Sequence, residues 1–186
     1  MHALLVSFAV VAMAEIGDKT QLLSLVLAAK FRRPWPIIAG IFIATLLNHF
    51  LAGLAGAIVA QWLNPEWLRW FVVASFVGVA IWTLLPDTLG DNSQLSSQYG
   101  AFIATVIAFF LAEMGDKTQV ATIILATEYQ PLWQIVVGTT GGMLLANVPV
   151  VALGSRFANK LPLKFTRIAA AVLFFLLAAW IAFAKV

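Results

Sequence analysis

Six apolar stretches, at residues 3–29, 36–62, 67–86, 100–126, 132–156 and 165–184, occupy nearly the whole chain. Each is long enough, at about 1.5 Å per residue, to cross a hydrocarbon layer of about 30 Å as a helix. Hydrophobic residues make up 62% of the chain and charged residues 10%, where a soluble domain carries about 25% charged residues. That apolar excess is too large for one core buried in water, so the bilayer is the solvent that the sequence implies. The expected fold class is an all-α integral membrane protein with six transmembrane helices.

The breaks between stretches carry turn and charge signals: Lys30 to Pro36, Asn64 to Glu66, Asp87 to Gln98, Glu128 to Pro131, and Lys160 to Lys164. Trp35, Trp62, Trp67, Trp70 and Trp133 fall near stretch ends, where interfacial anchors sit. Connections this short leave no room for a separate soluble domain. Ala12-Met13-Ala14 has the look of a signal-peptidase site. No Lys or Arg precedes the apolar run, and a similar context, Leu111-Ala112-Glu113, recurs deep in the chain. The first stretch is therefore expected to be retained.

Several function classes drop out. With no cysteine there is no disulfide, thiolate metal site or cysteine nucleophile. His2 and His49 are the only histidines, too few for a zinc or copper cage. No basic tract suits nucleic acid, and no GxxxxGK[ST] loop offers ATP coupling. No nucleophile–base constellation suggests an enzyme.

The two halves repeat. Glu15-Ile16-Gly17-Asp18-Lys19-Thr20-Gln21 returns as Glu113-Met114-Gly115-Asp116-Lys117-Thr118-Gln119, an offset of 98 (113 minus 15). The same offset pairs Ser24 with Thr122, Gly40 with Gly138 and Gly56 with Gly154. Residues 1–86 and 100–186 then form two three-helix repeats, joined by a loop at 87–99. Three spans per repeat force the second to enter the membrane from the opposite side, the inverted-repeat architecture of many secondary transporters. Loops one, three and five, with the adjoining helix ends, hold Lys30, Arg32, Arg33, Arg156, Lys160, Lys164 and Arg167, against Arg69 and Lys185 on the other side. This bias puts the odd loops, with Asp87 and Asp91, in the cytoplasm and both termini outside. Asp87 and Asp91 read as a solvated loop, with a cation-collecting entrance as the alternative.

Glu15 and Glu113 lie near mid-span, where ionisable groups are costly and functional by default. In a regular helix Glu15 would pair with Lys19 at i, i+4, leaving Asp18 as excess negative charge, and the second copy would do the same with Asp116. Four carboxylates and two lysines sum to −2, which one divalent cation neutralises. Carboxylate, amide and hydroxyl oxygens suit Mg²⁺, Ca²⁺ or Mn²⁺. The metal-ligand candidates are Glu15, Asp18, Glu113, Asp116, Gln21 and Gln119, followed by Ser24, Thr122, Asn48 and Asn147, with Lys19 and Lys117 as charge partners. Gly17 and Gly115 can let the backbone open, as in discontinuous transporter helices, or pack quietly against a neighbour. Asn48, His49 and Asn147 suit interhelical hydrogen bonds as well as ion binding. Ion pairs that only lock helices together are the plain alternative for the motifs, and two copies at matching depth weigh against it.

Two Glu-x-Gly-Asp-Lys-Thr motifs, in the first and fourth of six spans, resemble the Gdt family of manganese and calcium transporters, in particular its compact bacterial manganese exporters. The resemblance covers essentially the whole chain. It implies Mn²⁺ or Ca²⁺ movement in exchange for protons through a site built from both motifs. On this chain it marks Glu15, Asp18, Glu113 and Asp116 as ligands, with Lys19 and Lys117 as charge partners. The expected function is a secondary antiporter exporting Mn²⁺ from the cytoplasm across a bacterial inner membrane, with cations, protons and the lipid bilayer as its partners. The alternatives are a Ca²⁺/H⁺ exchanger, a passive cation channel and a structural module.

Overall fold

The structure is a computed structural model that describes residues 1–62, 64–84, 100–153 and 163–183. The described residues form eight helices: α1 (His2–Glu15), α2 (Lys19–Phe31), α3 (Pro34–Trp62), α4 (Pro65–Thr83), α5 (Gly100–Glu113), α6 (Lys117–Glu128), α7 (Leu132–Leu153) and α8 (Leu163–Phe183). No strand occurs among the described residues. The all-helical expectation therefore holds. Asp87, Asp91, Arg156, Lys160 and Lys185 lie outside the described residues, as do the side chains of Lys164 and Arg167.

The second and fifth apolar stretches are continuous helices. α3 has 29 residues and α7 has 22, both long and apolar enough to cross a membrane. The first and fourth stretches differ from the single regular helix considered from sequence. Each is two short helices, of 14 and 13 residues in the first and 14 and 12 in the fourth. Neither half-helix spans about 30 Å alone at about 1.5 Å per residue. The breaks fall inside the two acidic motifs, at Gly17 with φ 87° and Gly115 with φ 72°. Side chains with a Cβ rarely take that left-handed conformation, so a glycine at this motif position lets the helix stop and restart.

Beside its apolar core, the interior holds an unusual set of polar and charged side chains, while many large apolar side chains lie on the surface. Glu15, Asp18, Thr45, Asn48, His49, Glu113, Asp116, Lys117 and Asn147 are all buried. Leu47, Leu51 and Ile58 on α3, and Leu176, Trp180 and Phe183 on α8, are exposed. A buried polar cluster beneath an apolar outer surface suits a lipid surround, and that outer surface is expensive in water. Trp35, Trp62, Trp67 and Trp133 stand exposed near helix ends, as interfacial anchors do.

The halves interlock. α1 packs along α7, and α3 packs along α5 and α6, while α4 lies against α8 with Phe76 and Phe174 ring centroids 6.0 Å apart. Small residues allow the close approach. A Cβ on Gly40 would meet Thr105 Cβ at 2.7 Å and Phe102 O at 2.9 Å. A Cβ on Gly138 would meet Leu4 O at 2.5 Å and Ser7 Cβ at 3.0 Å. Leu4, Ser7 and Gly40 each lie 98 residues before Phe102, Thr105 and Gly138. The same contact is thus made twice, with the roles of the halves exchanged.

Candidate functional site

Each motif builds the same local structure. α1 ends at Glu15 and α5 at Glu113, and the chain turns through Asp18 N–H to Glu15 O and Asp116 N–H to Glu113 O, both at 3.0 Å. Asp18 occupies the N-cap of α2, its carboxylate accepting from Thr20 N at 3.5 Å, and Asp116 holds the matching position before α6. A carboxylate there meets the positive end of the helix dipole, which stabilises it. The glutamines brace the turn. Gly17 N–H donates to Gln21 Oε1 at 2.8 Å, and Gly115 N–H to Gln119 Oε1 at 2.7 Å.

Both glutamates are fully buried. Thr20 Oγ1 donates to Glu15 Oε2 at 2.5 Å, and Thr118 Oγ1 donates to Glu113 Oε2 at 3.0 Å and Asp116 Oδ2 at 3.3 Å. Glu15 Oε1 and Glu113 Oε1 have no hydrogen-bond partner among the described residues. One carboxylate oxygen from each of Glu15, Glu113 and Asp116 lies within 4.8 Å of the other two. Oxygens bound at about 2.0–2.6 Å to one hard divalent cation are separated by no more than about 5 Å. Three carboxylates from two halves therefore fit around one such ion.

The charge pairing differs from that of a regular helix. Because the backbone breaks between them, Glu15 and Lys19 are not one turn apart on a single helix. Each lysine instead crosses to the aspartate of the other motif. Lys19 Nζ is 2.8 Å from Asp116 Oδ1, and Lys117 Nζ pairs with Asp18 Oδ1. The aspartates are the carboxylates matched by lysine, and the excess charge of −2 falls on Glu15 and Glu113. This reverses the assignment made from i, i+4 spacing.

The remaining candidates make hydrogen bonds to neighbouring groups. The Gln21 amide donates to Ala146 O at 2.9 Å, and the Gln119 amide donates to Asn48 Oδ1, so each motif is tied to the long helix of the other half. Ser24 Oγ donates to Asn147 Oδ1 at 2.7 Å, Asn48 Nδ2 to Phe110 O at 3.3 Å, and Thr122 Oγ1 to Thr118 O at 2.8 Å. Thr20 and Thr118 were not singled out from sequence as site residues. The available signal was their recurrence at the same place in both motifs, five residues after the glutamate.

Comparison with known proteins agrees with this picture. The family model described as Divalent cation/proton antiporter GDT1 matches residues 3–95 and 101–186. A Vibrio cholerae protein named "Putative manganese exporter" is 53% identical over 98% of this chain and 92% of its own length. A GDT1-like protein of Synechocystis is 23% identical, and GDT1-like protein 5 of Arabidopsis thaliana is 24% identical, each over 90% of both chains. No solved structure matches the chain. With its family model covering nearly all residues and its acidic motifs joined at one buried centre, the chain belongs to the GDT1 family of divalent cation/proton antiporters, which are membrane transporters and not enzymes.

Proposed function

We propose that this protein exports Mn²⁺ from the cytoplasm across a bacterial inner membrane in exchange for protons, through one site at the interface of its two halves. The observation that carries the reading is the grouping of buried oxygens from Glu15, Glu113 and Asp116, drawn from both motifs. Carboxylates that hold a metal must give up protons, so metal and proton compete for the same atoms. That competition is the minimum machinery of an antiporter. The name carried by the Vibrio cholerae relative supports Mn²⁺ as the ion.

In this reading residues 1–86 and 100–186 are two inverted three-span repeats joined by a cytoplasmic loop at 87–99. α1 with α2 forms the first span, α3 the second and α4 the third, and α5 to α8 follow the same order. The contacts that recur with the halves exchanged support such a two-fold relation. Seven Lys and Arg residues on the odd-loop side support a cytoplasmic loop and external termini. Glu15, Glu113 and Asp116 serve as direct ligands, and Asp18 with Lys117 sets the local field.

Proteoliposome transport tests the proposal. With an acidic lumen, Mn²⁺ is expected to accumulate inside against its own gradient, and collapse of the pH difference is expected to stop it. Flux that only runs downhill replaces the antiporter with a channel. Accumulation of Ca²⁺ in preference to Mn²⁺ replaces the ion.

A further inference from the structure

The two cross-half ion pairs look equivalent in sequence and are not equivalent in space. The Lys117 side chain is 2% exposed and pairs with Asp18, which lies outside the group of three oxygens. The Lys19 side chain is 21% exposed and pairs with Asp116, a member of that group. Asp116 thus has two competing partners: an ammonium 2.8 Å away, and any cation held by Glu15 and Glu113. A divalent ion that draws on Asp116 brings two positive charges beside the Lys19 ammonium in a buried, weakly screened setting. Like charges this close repel, and Lys19, unlike Lys117, is partly exposed.

Resting on the transport reading above, we propose that Lys19 is a tethered counter-cation, which neutralises Asp116 when no divalent ion is held there and is displaced toward the exposed side when one binds. The ammonium stays protonated throughout; only its partner changes. This gives the lysine of the first motif a role in the cycle that the lysine of the second does not share. An antiporter must also reorient its binding carboxylates without metal, and buried unpaired carboxylates resist that step. Lys19 lowers the charge left behind. Its removal therefore separates two activities that need the metal-free return differently: net proton-driven transport, which requires it, and Mn²⁺/Mn²⁺ exchange, which does not.

The test uses full-length protein in liposomes or detergent. Lys19→Gln is expected to bind Mn²⁺ about tenfold more tightly, since losing a competing charge-assisted bond of ordinary strength changes affinity by that order. Its proton-driven Mn²⁺ uptake is expected to fall about tenfold while ⁵⁴Mn²⁺/Mn²⁺ exchange persists. Lys19→Arg keeps the charge and is expected to restore net uptake. A second measurement needs no variant: acetylation of Lys19 in the wild-type protein, followed by mass spectrometry, is expected to accelerate severalfold on adding Mn²⁺ while Lys30 does not change. Mn²⁺ binding that is unchanged or weaker in Lys19→Gln, or Lys19 labelling that is unchanged or slowed by Mn²⁺, overturns the proposal and leaves the transport reading in place. Failure of the wild-type protein to bind Mn²⁺ or Ca²⁺ overturns both.

Discussion

Glu15 and Glu113 each keep one carboxylate oxygen on a threonine hydroxyl and leave the other without a hydrogen-bond partner among the described residues. Burying such an oxygen unsatisfied is costly, and a cation shared between the two glutamates relieves the cost. Glu15→Gln and Glu113→Gln keep shape and size but remove one charge each from the excess of −2. If the halves share one site as proposed, equilibrium binding on purified protein is expected to give about one Mn²⁺ per wild-type chain, and severe loss in either variant. A stoichiometry of two, halved by each substitution, contradicts the shared site. Asp18 makes a different case. From sequence it is the uncompensated charge, which would let Asp18→Asn insert and fold normally. In the structure it pairs with the buried Lys117. Removing one partner of a buried pair costs about 3–5 kcal/mol. Asp18→Asn is therefore expected to lower thermal stability clearly, in contrast to Glu15→Gln; equal melting temperatures for the two variants would remove this distinction.

At the scale of elements, the broken helices decide where charge is placed. A continuous helix from His2 to Phe31 would stack Glu15 and Lys19 on one face. The turn at Gly17 instead puts Asp18 at the N-cap of α2 and sends Lys19 across to α6. Gly17 adopts φ 87°, where a residue with a Cβ is strained by about 1–2 kcal/mol. Gly17→Ala is expected to lose stability of that order and to weaken Mn²⁺ binding, since the Gly17 N–H to Gln21 bond holds the turn. Gly78→Ala on α4, where an added Cβ meets nothing within 4 Å, is the control and is expected to match or exceed wild-type stability. Equal effects of the two substitutions, by thermal melting and Mn²⁺ titration, would separate the break from the site.

For the whole molecule, the many large apolar side chains on the surface, with buried charged groups beneath them, suit a bilayer. The positive bias of the odd loops supports the proposed orientation, with external termini. Because the parent chain has no cysteine, single cysteines can be placed freely. His2→Cys is expected to react with an impermeant maleimide from outside intact cells, and Asn92→Cys only after permeabilisation. Labelling of both from one side would contradict three spans per half and with it the inverted relation of the repeats.

Length, hydropathy and repetition are properties of the chain read in order, and what depends on them alone was legible without a structure. The apolar runs imply the all-helical architecture because a bilayer leaves the backbone few other ways to satisfy its hydrogen bonds. The offset of 98 pairs the motifs because duplication leaves a linear trace. The choice of oxygen-rich carboxylates implies a hard divalent cation. What sequence spacing could not decide is which groups meet across the two halves. Helical periodicity predicts neighbours within one helix, and it pointed to Glu15–Lys19, whereas the contacts that matter join residues about a hundred positions apart. Packing of α1 on α7 and of α3 on α5 and α6 brings the two turns together. Only that packing gives Lys19 to Asp116 and Lys117 to Asp18, groups oxygens of Glu15, Glu113 and Asp116, and leaves Lys19 partly exposed and Lys117 buried.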